Sequence, residues 1–246
     1  MIFADDASFL IMTTHHQDHL EHSAIAMLTA LPILGNGYFK DLVNGNMPKE
    51  KFIHSQLQFF HAVSFFSRNL AALIARLPTS AGRAILVHNL AEEHGLDKEH
   101  PAAGFRPQFA HDLTFTHFLK TLGVSQEVLL ANTPEAPVRA FNLSLLAACS
   151  SESPAFALAA LGMIEYAFAD ISSLIGSRVV EQGWVKAEEL VHYSLHAEID
   201  KRHAAELFEA AESAITAGET NSSITHGLEF GRYIFDRLYR DVNSQR

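Results

Sequence analysis

The stretch Pro154-Ala-Phe-Ala-Leu-Ala-Ala-Leu-Gly-Met-Ile-Glu165-Tyr-Ala-Phe-Ala-Asp170 decides how the rest of the chain is read. Its apolar residues do not alternate as in a half-buried strand. They continue round more than one face of a 3.6-residue helix. Ser151-Glu-Ser-Pro154 supplies a cap with proline in the first turn, and Gly183 stops the helix after about Gln182. Such a helix belongs at the centre of a fold. The apolar run Phe156 to Ile164 ends at Glu165, far short of the roughly 20 residues that span a bilayer.

Outward from this segment, three- and four-residue spacing of apolar side chains continues to both ends. It predicts helices at Thr14–Leu31, Tyr38–Val43, Pro48–Leu77, Ser80–Asp97, Pro107–Leu122, Ala136–Ala148, Trp184–Ala214 and Ser223–Val242. A break falls at His100–Pro101. No Gly/Ser/Pro linker, fixed-period repeat or low-complexity tract divides the series, and Gly218–Ser223 reads as a loop. The expectation is one all-α domain over residues 1–246.

Composition narrows the function classes. Of 246 residues 48% are hydrophobic and 19% charged, enough to build a sizeable core. Eighteen Lys and Arg against 28 Asp and Glu leave a net charge of −10, which argues against nucleic acid or an anionic membrane surface as partner. The single Cys149 excludes an intrachain disulfide. The start, MIFADDASFLIMTTHH, lacks a cationic segment, a clean apolar run and a small-residue cleavage site. A cytoplasmic setting is expected. Fifteen histidines remain to be explained, and histidine is both the commonest metal ligand and the neutral-pH acid–base group.

Glu165 in an apolar helix must take up a proton or meet a cation. The segment His196-Ala-Glu-Ile-Asp200-Lys-Arg-His203 places Asp200 about 40° and His203 about 20° from His196 on a helix, so all three share a face. His192 and Glu189 fall near the same stripe. Upstream, Glu93 and His100 are seven residues apart, within about 20° of two turns if their helix continues that far; Glu92 points about 100° away. Three imidazoles and three carboxylates suffice for two divalent ions with room for a substrate. The donors suit iron or manganese; a dinuclear set without thiolate is less typical of zinc.

Glu-x6-His, a lone Glu on a later apolar helix and His-x3-Asp-x2-His together resemble the haem-oxygenase-like di-iron oxidases and oxygenases. Those are seven-helix bundles sharing their fold with thiaminase-II-like (TenA) proteins and the quinone-cofactor synthase PqqC. The resemblance runs from Glu93 to His203 and takes in the flanking helices. It implies two irons, one held by Glu93, His100 and His196 and the other by Glu165, Asp200 and His203. It also implies a homodimer, and dioxygen and a small organic substrate of amino-acid or fatty-acid class as partners. One branch of that family makes p-aminobenzoate from its own tyrosines and a lysine, with Tyr before the lone Glu and Lys ten residues after it. Here those positions are Ile164 and Ile175, and Phe59 and Phe60 stand where an aromatic hydroxyl would be sought.

Other histidines and pocket residues are weighed on the same terms. Phe60, Tyr166 and His192 are candidate substrate contacts. The cluster His15, His16, His19 and His22 reads as a surface patch. Haem is disfavoured because the segment Ile171–Arg178 carries only Gly176, whereas haem oxygenases use a glycine-rich kink. Cys149, in Ala-Ala-Cys-Ser-Ser, lacks a nearby activating base and reads as a core residue. The alternatives are a metal-free PqqC-like oxidase, a TenA-like hydrolase and a non-catalytic binding or regulatory protein.

Overall fold

The computed structural model describes residues 20–96, 102, 104–216 and 220–244. Among them the regular backbone is helical: α1 (20–30), α2 (Gly37–Val43), α3 (Lys49–Ile74), α4 (Ser80–Glu93), α5 (His111–Thr121), α6 (Gln126–Ala131), α7 (Ala136–Ser151), α8 (Pro154–Glu181), α9 (Val191–Thr216) and α10 (Asn221–Ser244). No strand occurs among the described residues; one isolated bridge pairs Leu96 with Phe105.

The central helix is α8, as its composition predicts. Ser153 Oγ accepts the Phe156 N–H, Pro154 occupies the first turn, and every residue from Ala157 to Glu165 is buried. It is also the one described helix long and apolar enough to cross a membrane, and most of it lies inside the bundle.

Its neighbours come close because small residues face them. Added at Gly227 and Gly231 of α10, a Cβ would lie 2.3 Å from the Phe156 carbonyl oxygen and 2.4 Å from that of Ala160. α9 runs antiparallel to α8: Gly162 faces Phe208, Phe168 faces His196 and Gly176 faces Tyr193. A Cβ on residue 176 would meet Leu190 at 2.9 Å and Tyr193 at 3.6 Å.

Of the helix boundaries that differ from the sequence reading, three bear on the site, and each has a local cause. α4 stops at Glu93 instead of Asp97, because Gly95 takes φ +91° and the chain turns back. A Cβ on Gly95 would lie 2.4 Å from the Arg106 carbonyl oxygen, so glycine is required there. α9 starts at Val191, not Trp184: the N–H groups of Gly183 and Trp184 close the end of α8, and a 3-10 turn fills Ala187–Glu189. The helix predicted from Pro107 opens as a 3-10 turn at Pro107–Phe109, and α5 proper begins at His111. The short α6 was not expected.

Candidate metal centre

On α9 the predicted stripe is the buried one. His192, His196, Asp200 and His203 are each at most 5% exposed. The charged residues between them turn elsewhere. Lys201 pairs with Asp170 and lies over the Tyr166 ring, and Arg202 pairs with Glu92 and Glu206. A solvated helix face is thereby excluded for the stripe itself.

Two other helices bring carboxylates to it. Glu165 arrives from α8 and Glu93 from the last turn of α4, and both are buried. Ligand atoms of Glu93, Glu165 and His203 lie within 4.8 Å of one another. His196 Nδ1 and Asp200 Oδ1 are 2.9 Å apart beside them.

The imidazole next to Glu93 is that of His111. The chain leaves α4 at Gly95, pairs Leu96 with Phe105, and returns through the 3-10 turn into α5. This delivers His111 Nδ1 to 3.0 Å from Glu93 Oε1, with its ring 4.4 Å from that of His196. The expectation that His100 shares a helical face with Glu93 required α4 to continue, and α4 ends at Glu93. His100 itself lies outside the described residues, as do His15, His16 and His19. His111 escaped sequence reasoning because eighteen positions separate it from Glu93. Its one signal was a histidine in the first turn of a predicted helix.

Glu92 does point away from the cluster, and it has a definite task. Its Oε2 lies 2.9 Å from His203 Nε2, and its carboxylate is gripped by Arg202. A carboxylate accepts only, so Nε2 carries a proton and Nδ1 is the ring nitrogen turned to the cluster.

The electrostatics are those of a carboxylate cluster without a counter-cation. Burial, then Asp200 and Glu93, push Glu165 well above the usual carboxylate range. Burial, with Glu93 adding to it against nearby imidazoles, raises Asp200 to about 8. Burial opposes ionisation of Glu93, but His111 outweighs it and holds Glu93 low; reciprocally, Glu93 outweighs burial and raises His111. Burial and neighbouring imidazoles hold His196 and His192 well below the ordinary histidine value.

These residues fit a metal on a direct observation. Among the described residues, Glu165 Oε1, His196 Nε2, Asp200 Oδ2 and His203 Nδ1 are shut off from solvent, and apart from the contact between the Glu165 and Asp200 carboxyl groups they have no hydrogen-bond partner. Each unpaired buried polar atom costs about 1–3 kcal/mol, so four acceptor-capable atoms in one cluster call for a cation. The rival for Glu165, an arginine partner, is absent among the described residues: Arg202 is engaged by Glu92 and Glu206.

A largely apolar pocket adjoins the cluster. Glu93, His111, Glu165 and His196 form its polar side; Phe59, Phe66, Phe141, Ile164, Phe168 and Phe235 form much of the rest. Phe60, expected in this wall, sits one residue off it, against Phe115. Tyr166 also lies off the cavity, beneath Lys201. His192 lies one turn before His196, its Nδ1 2.9 Å from Thr114 Oγ1 and its ring tilted against His196 and edge-on to Phe115. Glu189 is half-buried in the 3-10 turn. Cys149 is fully buried and its thiol is pushed up to about 12, mainly by burial, which leaves no thiolate for nucleophilic work.

A model of a family described as iron-containing redox enzymes matches residues 54–229. The chain belongs to that family. The matched span holds Glu93, His111, Glu165, His196, Asp200 and His203. This iron-containing redox enzyme family member is 24% identical over 213 residues to a 4-aminobenzoate synthase from Chlamydia muridarum, covering 86% of this chain and 84% of the relative. Among solved structures it is similar to a protein of haem oxygenase-like fold from Shewanella denitrificans (18% identity, 92% and 90% of the two chains, TM-score 0.69). A CADD-like protein from Nostoc punctiforme (14%, 92% and 96%, TM-score 0.71) and a TenA homologue from Pseudomonas syringae (15%, 91% of each, TM-score 0.68) share the architecture. The fold is therefore the haem oxygenase-like helical bundle expected from the motifs.

Proposed function

We propose that the protein is a non-haem di-iron oxidase or oxygenase acting with dioxygen on a small organic substrate. The observation that carries this reading is the buried cluster of Glu93, Glu165 and His203, flanked by the unpaired atoms of His196 and Asp200. Glu93, Glu165, His196, Asp200 and His203 would hold two ions, together with the expected His100, which lies outside the described residues, or with His111, which stands beside Glu93. Manganese fits the same donors. Iron bound there supplies the electrons for reducing dioxygen, a task no side chain performs.

The chain's own residues do the rest. Glu92 accepts the His203 Nε2–H and so fixes which ring nitrogen faces the cluster. Asp200 accepts from His196 Nδ1, leaving His196 Nε2 as the donor atom for a metal. The protons that Glu165 and Asp200 retain without a metal are released when one binds. Phe59, Phe66, Phe141, Phe168 and Phe235 exclude water and offer a substrate an apolar seat.

The named activity of the Chlamydia relative is not carried over. That reading asks for a tyrosine and a lysine where this chain has Ile164 and Ile175, which are 5% and 0% exposed and offer neither hydroxyl nor amine. Anaerobic titration with Fe(II), metal analysis and an oxygen electrode test the proposal. About two irons per chain and iron-dependent oxygen uptake are expected. A chain that binds no iron, with Asp200→Ala indistinguishable from the parent, would refute it in favour of a metal-free or binding role.

A further inference from the structure

A second recess lies on the other side of the α3–α7 seam from the iron cavity. It is open to solvent, has a volume of about 310 Å³ and is walled by Arg68, His61 and Ser64 of α3 and by Pro134, Arg139 and Asn142. No carboxylate lines it. In a chain of net charge −10, two guanidiniums share one hollow. Among the described residues neither pairs with an acid. Arg68 stacks on Phe65 at 4.8 Å, and Arg139 Nε donates to the Pro134 carbonyl at 2.8 Å, which orients both heads and leaves their terminal N–H groups open.

Beneath the arginines a chain of hydrogen bonds has only one possible direction. It starts from a donor that cannot be reassigned, the Glu135 backbone N–H, which binds Gln58 Oε1 at 2.8 Å. Gln58 Nε2 must then donate, and it does so to Asn132 Oδ1 and the Thr133 carbonyl, both at 3.2 Å. That turns Asn132 Nδ2 toward the Leu57 carbonyl and His61 Nε2, each at 2.8 Å. His61 Nε2 therefore accepts, and the ring proton sits on Nδ1. Nδ1 has no protein partner among the described residues and is not sealed from solvent. Burial and Arg139 both lower the pKa of His61, so the ring stays neutral with this tautomer. Glu135's carboxylate is occupied elsewhere, by His54 at 3.2 Å.

We propose that this recess is a binding site for an oxyanion of a small molecule, a carboxylate or a phosphoryl group, held by Arg68, Arg139 and the Nδ1–H of His61. Two guanidinium heads and a neutral N–H match the acceptors of such a group. Gln58 and Asn132 are positioning residues: they touch no ligand and fix the histidine.

Isothermal titration of the iron-loaded chain at constant ionic strength, with inorganic phosphate in one arm and succinate in the other over a chloride background, tests the site. Saturable binding of at least one anion is expected. Arg68→Gln and Arg139→Gln should each weaken it by about tenfold, the cost of one charge-assisted contact, with iron content and melting temperature unchanged. Phosphate alone saturating assigns a phosphoryl ligand; succinate alone assigns a carboxylate. Saturation by neither, or undiminished binding in the double variant, overturns the site. Nitrogen-15 NMR gives an independent reading: His61 should carry its proton on Nδ1 and shift on titration, and a proton on Nε2 would overturn the argument.

Discussion

Two buried polar clusters sit within one turn of each other along α9, and they are built on opposite principles. Around Tyr193, the hydroxyl donates to Gln56 Oε1, Gln56 Nε2 donates to Tyr38 Oη at 2.9 Å, Tyr38 meets Ser55 Oγ at 2.8 Å, and Ser55 donates to the Phe52 carbonyl. That network closes on itself. Around His196 the residues are as deeply buried, yet Glu165, His196, Asp200 and His203 each leave an atom unpaired. One bundle thus contains a polar group that needs nothing further and another that is incomplete without a cation. Unpaired atoms occur elsewhere among the buried residues, at Asn69, Asn89, Ser172 and Tyr239, but around His196 four gather in one cluster of metal-ligating side chains.

Breaking the open cluster has the largest expected effect on metal and the least on folding. Glu165→Leu removes a desolvated carboxyl and replaces it with an apolar side chain of similar size. Bound iron should fall by half or more in metal analysis. The metal-free chain should melt no lower than the parent, because exchanging a buried, incompletely paired carboxyl for apolar packing is neutral or stabilising. Breaking the closed network should do the reverse. Gln56→Leu strands the Tyr193 hydroxyl and takes from Tyr38 one of its two partners, costs about 1–3 kcal/mol by denaturant unfolding, and leaves the iron content unchanged. A variant of either kind that behaved like the other would erase the distinction.

The same contrast marks what the sequence could disclose. The α9 stripe and Glu165 were legible because helical periodicity fixes relative direction over a few turns, and an apolar helix cannot hold a bare carboxylate. The central place of α8 followed from its composition. His111 was not legible: it depends on a left-handed Gly95 and on a backbone pairing of Leu96 with Phe105, which deliver an imidazole from eighteen positions away. Glu92 was correctly set apart by its angle, but its contact with His203 is tertiary. Of Phe59, Phe60 and Phe65, the α3 aromatics that could line an apolar pocket, only Phe59 lines the one beside the cluster, because neighbouring helix positions point about 100° apart and composition cannot choose among them. The Gln58–Asn132–His61 chain had no sequence signal.

A smaller effect sharpens the comparison at the cluster's edge. Glu92→Gln keeps the side chain's size and removes its charge. The amide can present either donor or acceptor to His203 Nε2, so the ring's lone pair is no longer held at Nδ1. Loss of such an outer partner typically weakens metal affinity about 10–100-fold. Competition with a chelator should detect this, while the spectrum of the fully loaded site changes little. Unchanged affinity would mean that Glu92 serves only Arg202.

The smallest predicted effect is a pH dependence that only the open cluster should show. Without metal, folded Asp200 keeps its proton to about pH 8, whereas in the unfolded chain it ionises near its ordinary value of 3.8. Between those values the folded state binds the extra proton, so raising the pH favours unfolding. Glu165 and His111, both raised, act in the same direction. His192 and His196, both lowered, act oppositely but only below their ordinary value of 6.5, and the lowered Glu92 and Glu93 act only below 4.5. The clean window therefore runs from about pH 6.5 to 8. Across it the melting temperature of the metal-free chain should fall, each ~1 kcal/mol lost appearing as about 2–4 °C. The iron- or manganese-loaded chain should not show this fall, because its carboxylates are already ionised by the metal. In Glu165→Leu the slope should shrink, and in Gln56→Leu it should match the parent. A metal-free parent whose melting temperature stayed flat or rose across the window would show that these carboxyls do not hold their protons in the fold.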